Sequence, residues 1–110
     1  MARYKMIALT NPVEGREDEF NEWYQNVHLP EVCAVPGVTG AQRYRMAAPL
    51  QDPSGLGKKY LAVYDIESDD LRATLGAFAT SPRTPSDAAD NASSYTVIFE
   101  EFGDRVVSKD

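Results

Sequence analysis

One histidine is available for acid–base chemistry in this chain of 110 residues. His28 follows Phe20 and Tyr24 at four-residue intervals, which places the three side chains on one row of a helix. The ordinary pKa of an imidazole lies close enough to neutrality for it to accept or donate a proton. The carboxyl end of a helix favours the charged imidazolium. The simpler alternative is that His28 caps the helix or fills a hydrogen-bonded core position. The position of this residue leaves both interpretations open.

Tyrosine is the other residue type able to do chemistry, with six in the chain. Alternation along a strand places Tyr60 and Tyr64 on one face, and Tyr24 and Tyr44 are candidates to reach the same space. A phenolic hydroxyl can donate a hydrogen bond to a developing oxyanion, or orient a bound phenol or ketone. We therefore predict a catalytic group of His28, Tyr60 and Tyr64, and ligand contacts from Trp23, Tyr24, Tyr44 and Phe78. For each aromatic residue, the alternative is a core side chain with a bonded polar atom.

Several other kinds of site are excluded by the residues present. One histidine and one cysteine, Cys33, cannot build a zinc site of ordinary spacing. The sequence has no glycine-rich phosphate loop and no Gly-x-Ser-x-Gly nucleophile turn. Glu100 and Glu101 are neighbours in a strand, so they face opposite sides of the sheet and cannot act as a carboxylate pair. We expect no metal and no cofactor.

The composition also limits the partners. The formal charge of −6 opposes binding to nucleic acid or to an anionic membrane, and the eleven Lys and Arg residues are scattered. No apolar run approaches the roughly 18 residues that span a bilayer. Residues 1–5 lack the apolar stretch of a signal peptide, and the single Cys33 cannot form an internal disulfide. We expect a cytoplasmic protein without nucleic-acid or membrane partners.

The periodicity of the apolar residues predicts four strands, at 4–10, 38–46, 58–66 and 95–102. A first helix is expected from Glu17 to His28, ending or kinking there because Pro30 disfavours helical geometry at the residue before it. A second helix follows a cap at 68–70 and has helical spacing of its apolar residues over 71–78. The order β-α-β-β-α-β predicts a ferredoxin-like α+β fold, with two helices on one face of a four-stranded antiparallel sheet.

The chain is expected to form one domain over residues 1–110, with a tail from about residue 104 and surface loops at 47–57 and 81–93. In the third strand Tyr60 and Tyr64 lie on one side and Leu61 and Val63 on the other, so both faces are apolar or aromatic. A sheet with one buried face alternates more cleanly. The simplest cover for the second face is a second copy of the sheet, which predicts a homodimer.

The sequence resembles the EthD-like branch of the dimeric α+β barrel superfamily. The resemblance is carried by FNEWY (20–24), HLP (28–30), VPGV (35–38), QRY (42–44) and YLAVYDI (60–66). Similar family members have an aromatic-rich first helix, a His-x-Pro at its end and a Pro-Gly-Val turn into the second strand. The resemblance covers most of the chain, from Tyr4 to Phe102.

The resemblance implies a homodimer whose sheets pack face to face with the helices outside, which agrees with the cover inferred above. It also implies a cleft between each sheet and its helices that holds a small aromatic or polyketide-like molecule. Related members include cofactor-free monooxygenases, cyclases, isomerases and lyases, as well as haem-binding proteins and proteins accessory to degradation pathways. The histidine of the family's His-x-Pro falls on His28.

Our leading hypothesis is a cofactor-independent enzyme of a catabolic or secondary-metabolic pathway, acting on a small aromatic or carbonyl compound. His28 would move a proton while Tyr60 or Tyr64 steadies charge on oxygen, in an isomerisation, a lyase reaction, a cyclisation or the oxygenation of a phenol. The first alternative is a ligand-binding or accessory protein without chemistry. The second is a haem protein with His28 as axial ligand, which is disfavoured because basic residues for the propionates are missing nearby.

Overall fold

The structure is a computed structural model that describes residues 1–51 and 57–109. The strands are β1 (Ala2–Thr10), β2 (Val38–Arg45), β3 (Tyr60–Ser68) and β4 (Tyr95–Glu100). The helical segments are α1 (Glu17–Trp23), a π-helical turn (Tyr24–His28), α2 (Leu29–Cys33), α3 (Leu71–Thr80) and a 3₁₀ turn (Asn91–Ser93). The predicted order of strands and helices is confirmed, although part of the predicted loop at 47–57 lies outside the described residues.

The four strands form one antiparallel sheet in the order β2-β3-β1-β4, which confirms the ferredoxin-like α+β fold. In this register Met6 of β1 is opposite Tyr64 of β3 on one side and Ile98 of β4 on the other. Because side chains alternate between faces, these three residues share the face on which the helices pack. That face therefore combines residues from three different strands beneath one helical layer.

Near His28, where an end or a kink is predicted, the regular α-helix is interrupted by a π turn, and the helical backbone then continues through α2. The backbone stays helical from α1 through the π turn into α2, which begins with Leu29 and Pro30. Within the π turn, the Leu29 N–H donates to the carbonyl of Tyr24, five residues earlier. Proline has no backbone N–H to donate, and at the start of a helical segment this N–H is not needed as a donor. The wider π turn therefore accommodates Pro30 at the start of α2 without ending the helix.

The core lies between the helices and the sheet. Phe20 and Val32 from the first helical region are almost fully buried, as are Tyr64, Ala62 and Ile66 from β3. Tyr60, Ala62, Tyr64 and Ile66 share one face of β3, as their alternation predicts. The helices consequently cover the face that carries Tyr60 and Tyr64.

The start of α3 and the turn before β2 are tied together. Asp70 caps α3 by accepting from the Ala73 N–H, as predicted, and Thr74 bonds Ser68 through its hydroxyl at 2.7 Å. Gly37 has a φ of +99°, which L side chains rarely adopt, and a Cβ there would lie 3.3 Å from the Thr74 methyl. The predicted Pro36-Gly37 turn therefore needs its glycine both for conformation and for space.

The centre of the opposite sheet face is apolar, and no helix of the described residues packs on it. Ile7, Leu9, Leu61, Val63 and Val97 occupy its centre by alternation from the registers of β1, β3 and β4. Three larger side chains on the same face are more than half exposed: Tyr44 at 52%, Tyr95 at 56% and Phe99 at 61%. This surface, the open sheet face, carries the second apolar set that the sequence pattern shows.

The segment 81–93 follows α3 and returns across the helical layer to β4. Its Ala88 is fully buried, and the carbonyl of Ala88 accepts from the Val13 N–H at 2.7 Å. The segment is thus anchored to the loop after β1 rather than lying free on the surface. In the described residues, no helix is long and apolar enough to cross a membrane.

Candidate functional site

A cleft of about 730 Å³ lies between the sheet and the helices. This volume falls within the range of small-molecule sites. The cleft is lined by Trp23, Tyr24, His28, Val32, Tyr64, Leu75, Phe78 and Arg83, together with residues of β1, β4 and segment 81–93. Five of the residues predicted from the sequence, His28, Tyr64, Trp23, Tyr24 and Phe78, therefore lie together around one cavity.

The π turn sets the position of His28. A π helix has more residues per turn than an α-helix, so residues five apart come to lie above one another. The ring of His28 stacks on Trp23 with centroids 4.8 Å apart, and meets the Tyr24 ring edge-on at 4.7 Å. The i, i+4 row predicted for Tyr24 and His28 is present, and the stacking on Trp23 is an additional consequence of the π turn.

His28 Nδ1 is buried without a hydrogen-bond partner in the part of the chain that the structure describes. A histidine kept only for the fold would be expected to have its buried nitrogen bonded, because an unpaired buried polar atom is costly. The residue also lies inside a continuous helical region and not at its carboxyl end. His28 is therefore not at the position of a helix cap, and its Nδ1 has no bond from the described residues.

The pKa of His28 is lowered to about 4. Burial is the largest cause, since it disfavours the charged imidazolium, and the Arg83 guanidinium adds repulsion. The Glu31 carboxylate opposes the shift but does not overcome it. This corrects the expectation that a helix end favours the charged form: at neutral pH the imidazole is neutral and able to accept a proton.

We expect the His28 imidazole to titrate near pH 4 rather than near 6.5, because it is buried beside Arg83. Proton NMR of the ring measures this with a single set of imidazole signals, since the chain has one histidine. Arg83→Gln should raise the pKa by removing the repulsion, and Glu31→Gln should lower it. A wild-type titration at the ordinary value would show that the ring is solvated and contradict the geometry.

The hydroxyls of Tyr24 and Tyr64 are 3.0 Å apart and buried, and both side chains line the cleft. Burial is the main cause that raises the pKa of each tyrosine, so both hydroxyls are protonated at neutral pH. Two hydroxyls share one hydrogen bond, which leaves one O–H without use in the pair. This tyrosine pair can therefore donate a hydrogen bond to a ligand oxygen.

Tyr60 lies outside the cleft, although it is on the same strand face as Tyr64. Its hydroxyl donates to the Glu17 carboxylate and accepts from Asn21 Nδ2 at 3.0 Å. These partners occupy the hydroxyl at the far end of the helical layer. The structure thus separates Tyr60 from His28 and assigns its polar atom to the fold.

Tyr44 also lies away from the other predicted residues. It pairs with Leu61 in β2 and β3, which places it on the open sheet face. Its neighbour Arg43 instead faces the helices, with its guanidinium carbon 4.7 Å from the Tyr24 ring centroid and Nη2 donating to Asn21 Oδ1 at 2.8 Å. Contrary to the expectation from the sequence, Tyr44 therefore does not reach the space of Tyr64, because the register between β2 and β3 sets its face.

Arg83 is a residue of the cleft that was not predicted from the sequence. Arg83 lines the cleft, donates from Nη2 to the Phe78 carbonyl at 3.0 Å and lies with its guanidinium carbon 5.4 Å from the Phe78 ring centroid. It belongs to the segment 81–93, which has no periodicity from which its direction could be inferred. The one sequence feature that could have indicated its role is that Arg83 is a single arginine in the loop after a helix that lines the cleft.

Two anchors hold segment 81–93 beside His28. Trp23 Nε1 donates to the Thr84 carbonyl at 2.8 Å. Both oxygens of Glu31 accept from Thr84, at 2.9 Å from its N–H and 2.7 Å from its hydroxyl, and these bonds are the main reason that the pKa of Glu31 is lowered. The segment therefore closes one side of the cleft through contacts to both α1 and α2.

Solved structures with the same fold come from several bacteria. An EthD family protein from Bacillus halodurans is 18% identical, with a TM-score of 0.54, over 93% of this chain and 100% of that one. A DABB family protein with a ferredoxin-like fold from Mesorhizobium loti is 10% identical, with a TM-score of 0.60, over 94% and 100%. A Shewanella loihica protein assigned provisionally as a monooxygenase is 11% identical, with a TM-score of 0.57, over 99% of both chains.

No protein-family model and no curated protein matches the sequence. The structural likeness extends over nearly all of each chain and confirms the resemblance to the EthD-like α+β barrels at the level of the fold. The identities are too low to carry an activity from any of these proteins. The chemistry must therefore be argued from the cleft.

Proposed function

We propose that this protein is a cofactor-independent enzyme that transfers a proton on a small aromatic or carbonyl compound bound in the cleft. The observation that carries the proposal is the neutral His28 in the cavity wall, with Nδ1 unbonded among the described residues and its ring against the tyrosine pair. A base and a hydrogen-bond donor at one apolar cavity are the groups that enolisation requires.

The chemistry begins with the imidazole accepting a proton from a carbon or a phenol oxygen of the substrate. The electron pair that remains moves onto the carbonyl oxygen or stays on the phenol oxygen. The spare O–H of the Tyr24–Tyr64 pair donates a hydrogen bond to that oxygen and stabilises its charge. An isomerisation is complete when protonated His28 returns the proton to another atom of the substrate. Loss of a leaving group from the enolate gives a lyase reaction, and attack of the enolate carbon on a second carbonyl of the substrate gives a cyclisation.

The lining of the cleft supports a small and largely apolar substrate. The cleft wall is mostly aliphatic and aromatic, with Trp23, Phe78 and Leu75 among its lining. Apolar walls with a few convergent polar groups are typical of sites for small organic molecules. The provisional assignment of the Shewanella loihica protein as a monooxygenase extends the candidate reactions to oxygenation. In that reaction the carbanion form of a bound phenolate would add to molecular oxygen, the oxidant, and the resulting hydroperoxide would lose water to leave a quinone.

A specific observation favours the second candidate, a binding or accessory protein that leaves its ligand unchanged. General bases work best when their pKa lies near the operating pH, and the pKa of His28 is about 4. In a purely binding protein, an imidazole that stays neutral is a hydrogen-bonding group of the pocket wall. The two candidates share the cleft and differ only in whether covalent bonds of the ligand change.

The experiment that separates them follows both binding and product. The protein is incubated with a panel of aryl ketones, phenols and aromatic acids, and each mixture is analysed by ligand-observed NMR and by mass spectrometry. An enzyme is expected to give an isomer of equal mass, a fragment, or an oxygenated product from at least one compound that binds. If compounds of the panel bind and none is converted to a product, catalysis is rejected and the second candidate is supported. The haem alternative is tested separately, by a haem titration of the wild type with His28→Ala as the control.

We further propose that the open sheet face is the interface of a homodimer, and that the chain acts as one domain in the cytoplasm. The apolar centre of this face would otherwise be exposed to water. Val63→Lys puts a charge at that centre, and we expect the wild type to sediment as a dimer and this variant as a monomer, because an unpaired ammonium is costly in an apolar interface. Ala73→Lys, on the exposed side of α3, is the charge control and should remain dimeric.

Circular dichroism verifies that both lysine variants keep their secondary structure. A wild type that sediments as a monomer, or a Val63→Lys variant that stays dimeric while folded, would contradict the interface.

A further inference from the structure

The cleft has an uneven distribution of charge. Of the described residues that line it, none is a carboxylate, and Arg83 is the one with a permanent charge, since His28 is neutral at pH 7. The chain as a whole carries a formal charge of −6, which opposes the approach of an anion. A single guanidinium in this wall therefore gives the cleft a local charge opposite to that of the protein.

Arg83 has unused hydrogen-bonding capacity. A guanidinium has five N–H donors, and within the described part of the chain Arg83 uses Nη2 for the Phe78 carbonyl. It forms no ion pair there, since the salt bridges of the described residues join other groups. The guanidinium lies over the Phe78 ring, which holds it at the cleft and leaves its other N–H donors available.

The nearby carboxylate does not neutralise Arg83 by direct contact. Both oxygens of Glu31 accept from Thr84 of the same segment, and Glu31 does not line the cleft. Glu31 instead holds the backbone of Thr84, the residue that follows Arg83 in the sequence. The arrangement thus holds a partly free guanidinium at the edge of an apolar cavity, beside the candidate base.

We propose that Arg83 selects ligands with a carboxylate, so that the cleft takes an aromatic acid with its acid group on the guanidinium and its apolar body against Trp23 and Phe78. The inference rests on the proposed function only in using the same cleft. A guanidinium and a carboxylate form paired, charge-assisted hydrogen bonds, which are stronger than bonds between neutral groups. A bound carboxylate would also offset the repulsion that Arg83 exerts on protonated His28 and make His28 a stronger base.

The test compares an acid with its neutral ester. 1-Naphthoate and methyl 1-naphthoate have nearly the same apolar body, and only the first is charged at pH 7. Affinities are measured from the shift of the His28 ring signal in the wild type, in Arg83→Gln, and in Arg72→Gln. Arg72 is an exposed residue of α3 that does not line the cleft, so its substitution removes the same charge from the surface.

We expect the wild type and Arg72→Gln to bind the acid about tenfold more tightly than the ester, and Arg83→Gln to bind the two about equally. The ester affinity should be the same in all three proteins. A wild type that binds both probes equally, or an Arg83→Gln variant that keeps the preference, would overturn the inference and leave the cleft as a ligand site. If neither probe shifts the His28 signal while another compound of the panel binds, the inference fails and the proposed function stands; if no compound of the panel binds, both fail.

Discussion

Replacing His28 with Ala is expected to lower turnover by about two to four orders of magnitude, the usual loss for a general base. The reason is that His28 is the chain's one histidine and lies in the cleft wall, beside the tyrosine pair. Ligand affinity should change much less, because the apolar walls remain. The comparison is made by steady-state kinetics on the compound that the panel identifies, with binding measured separately.

The dependence of the rate on pH adds a second requirement. The pKa of His28 in the free protein is about 4, so kcat/KM should be constant above that value and fall as pH drops through it, when the base becomes protonated. His28→Gln keeps a polar side chain of similar length and serves as the matched variant without a proton acceptor of this kind. Turnover in either variant at the wild-type rate would remove His28 from the chemistry.

Removing both hydroxyls of the tyrosine pair, in Tyr24→Phe/Tyr64→Phe, is expected to lower kcat by about two to three orders of magnitude, the loss seen when an oxyanion donor is removed. Each single substitution should cost less, since the remaining hydroxyl can still donate to the ligand oxygen. The double variant should fold well, because replacing both partners of a buried hydrogen bond by apolar groups of the same shape is nearly neutral. Single and double variants are compared by kcat, and by urea denaturation.

Tyr60→Phe is the control for the tyrosine pair. It removes a hydroxyl from the same face of β3, but one whose partners are Glu17 and Asn21 at a distance from the cleft. We expect kcat to stay within a few-fold of the wild type and stability to decrease modestly. A larger kinetic loss from Tyr60→Phe than from the double substitution would mean that the wrong tyrosines have been assigned to the site.

The fold followed from the sequence because each of its elements has a strong local signal. A run of apolar and aromatic residues identified β3, and the helical spacing of Phe20, Tyr24 and His28 identified the helix that begins at Glu17. An end or a kink was predicted near His28, and the structure has a π turn there, after which the helical backbone continues into α2. Pro30 is tolerated through a π turn, and the i+5 hydrogen bond that forms this turn has no sequence signal comparable to a glycine or a cap.

The site was predictable only in part. Spacing on one helix brought Trp23, Tyr24 and His28 together, and strand parity added Tyr64. Tyr44 was misplaced because its face depends on the register between β2 and β3, which includes an irregularity between Val38 and Gly40. Arg83 could not be inferred, since the direction of a loop residue is set by tertiary contacts such as those between Glu31 and Thr84.

The central claim is that His28 transfers a proton on a bound carbonyl compound, and hydrogen exchange tests it without knowledge of the natural substrate. Phenylpyruvate and 2-tetralone are incubated in D₂O with the wild type or with His28→Ala, and loss of the proton signal next to the carbonyl is followed by NMR. We predict exchange at least about a hundredfold faster with the wild type for a probe that binds. Equal rates with the two proteins, for probes shown to occupy the cleft, would contradict the account and leave a protein that binds its ligand without changing it.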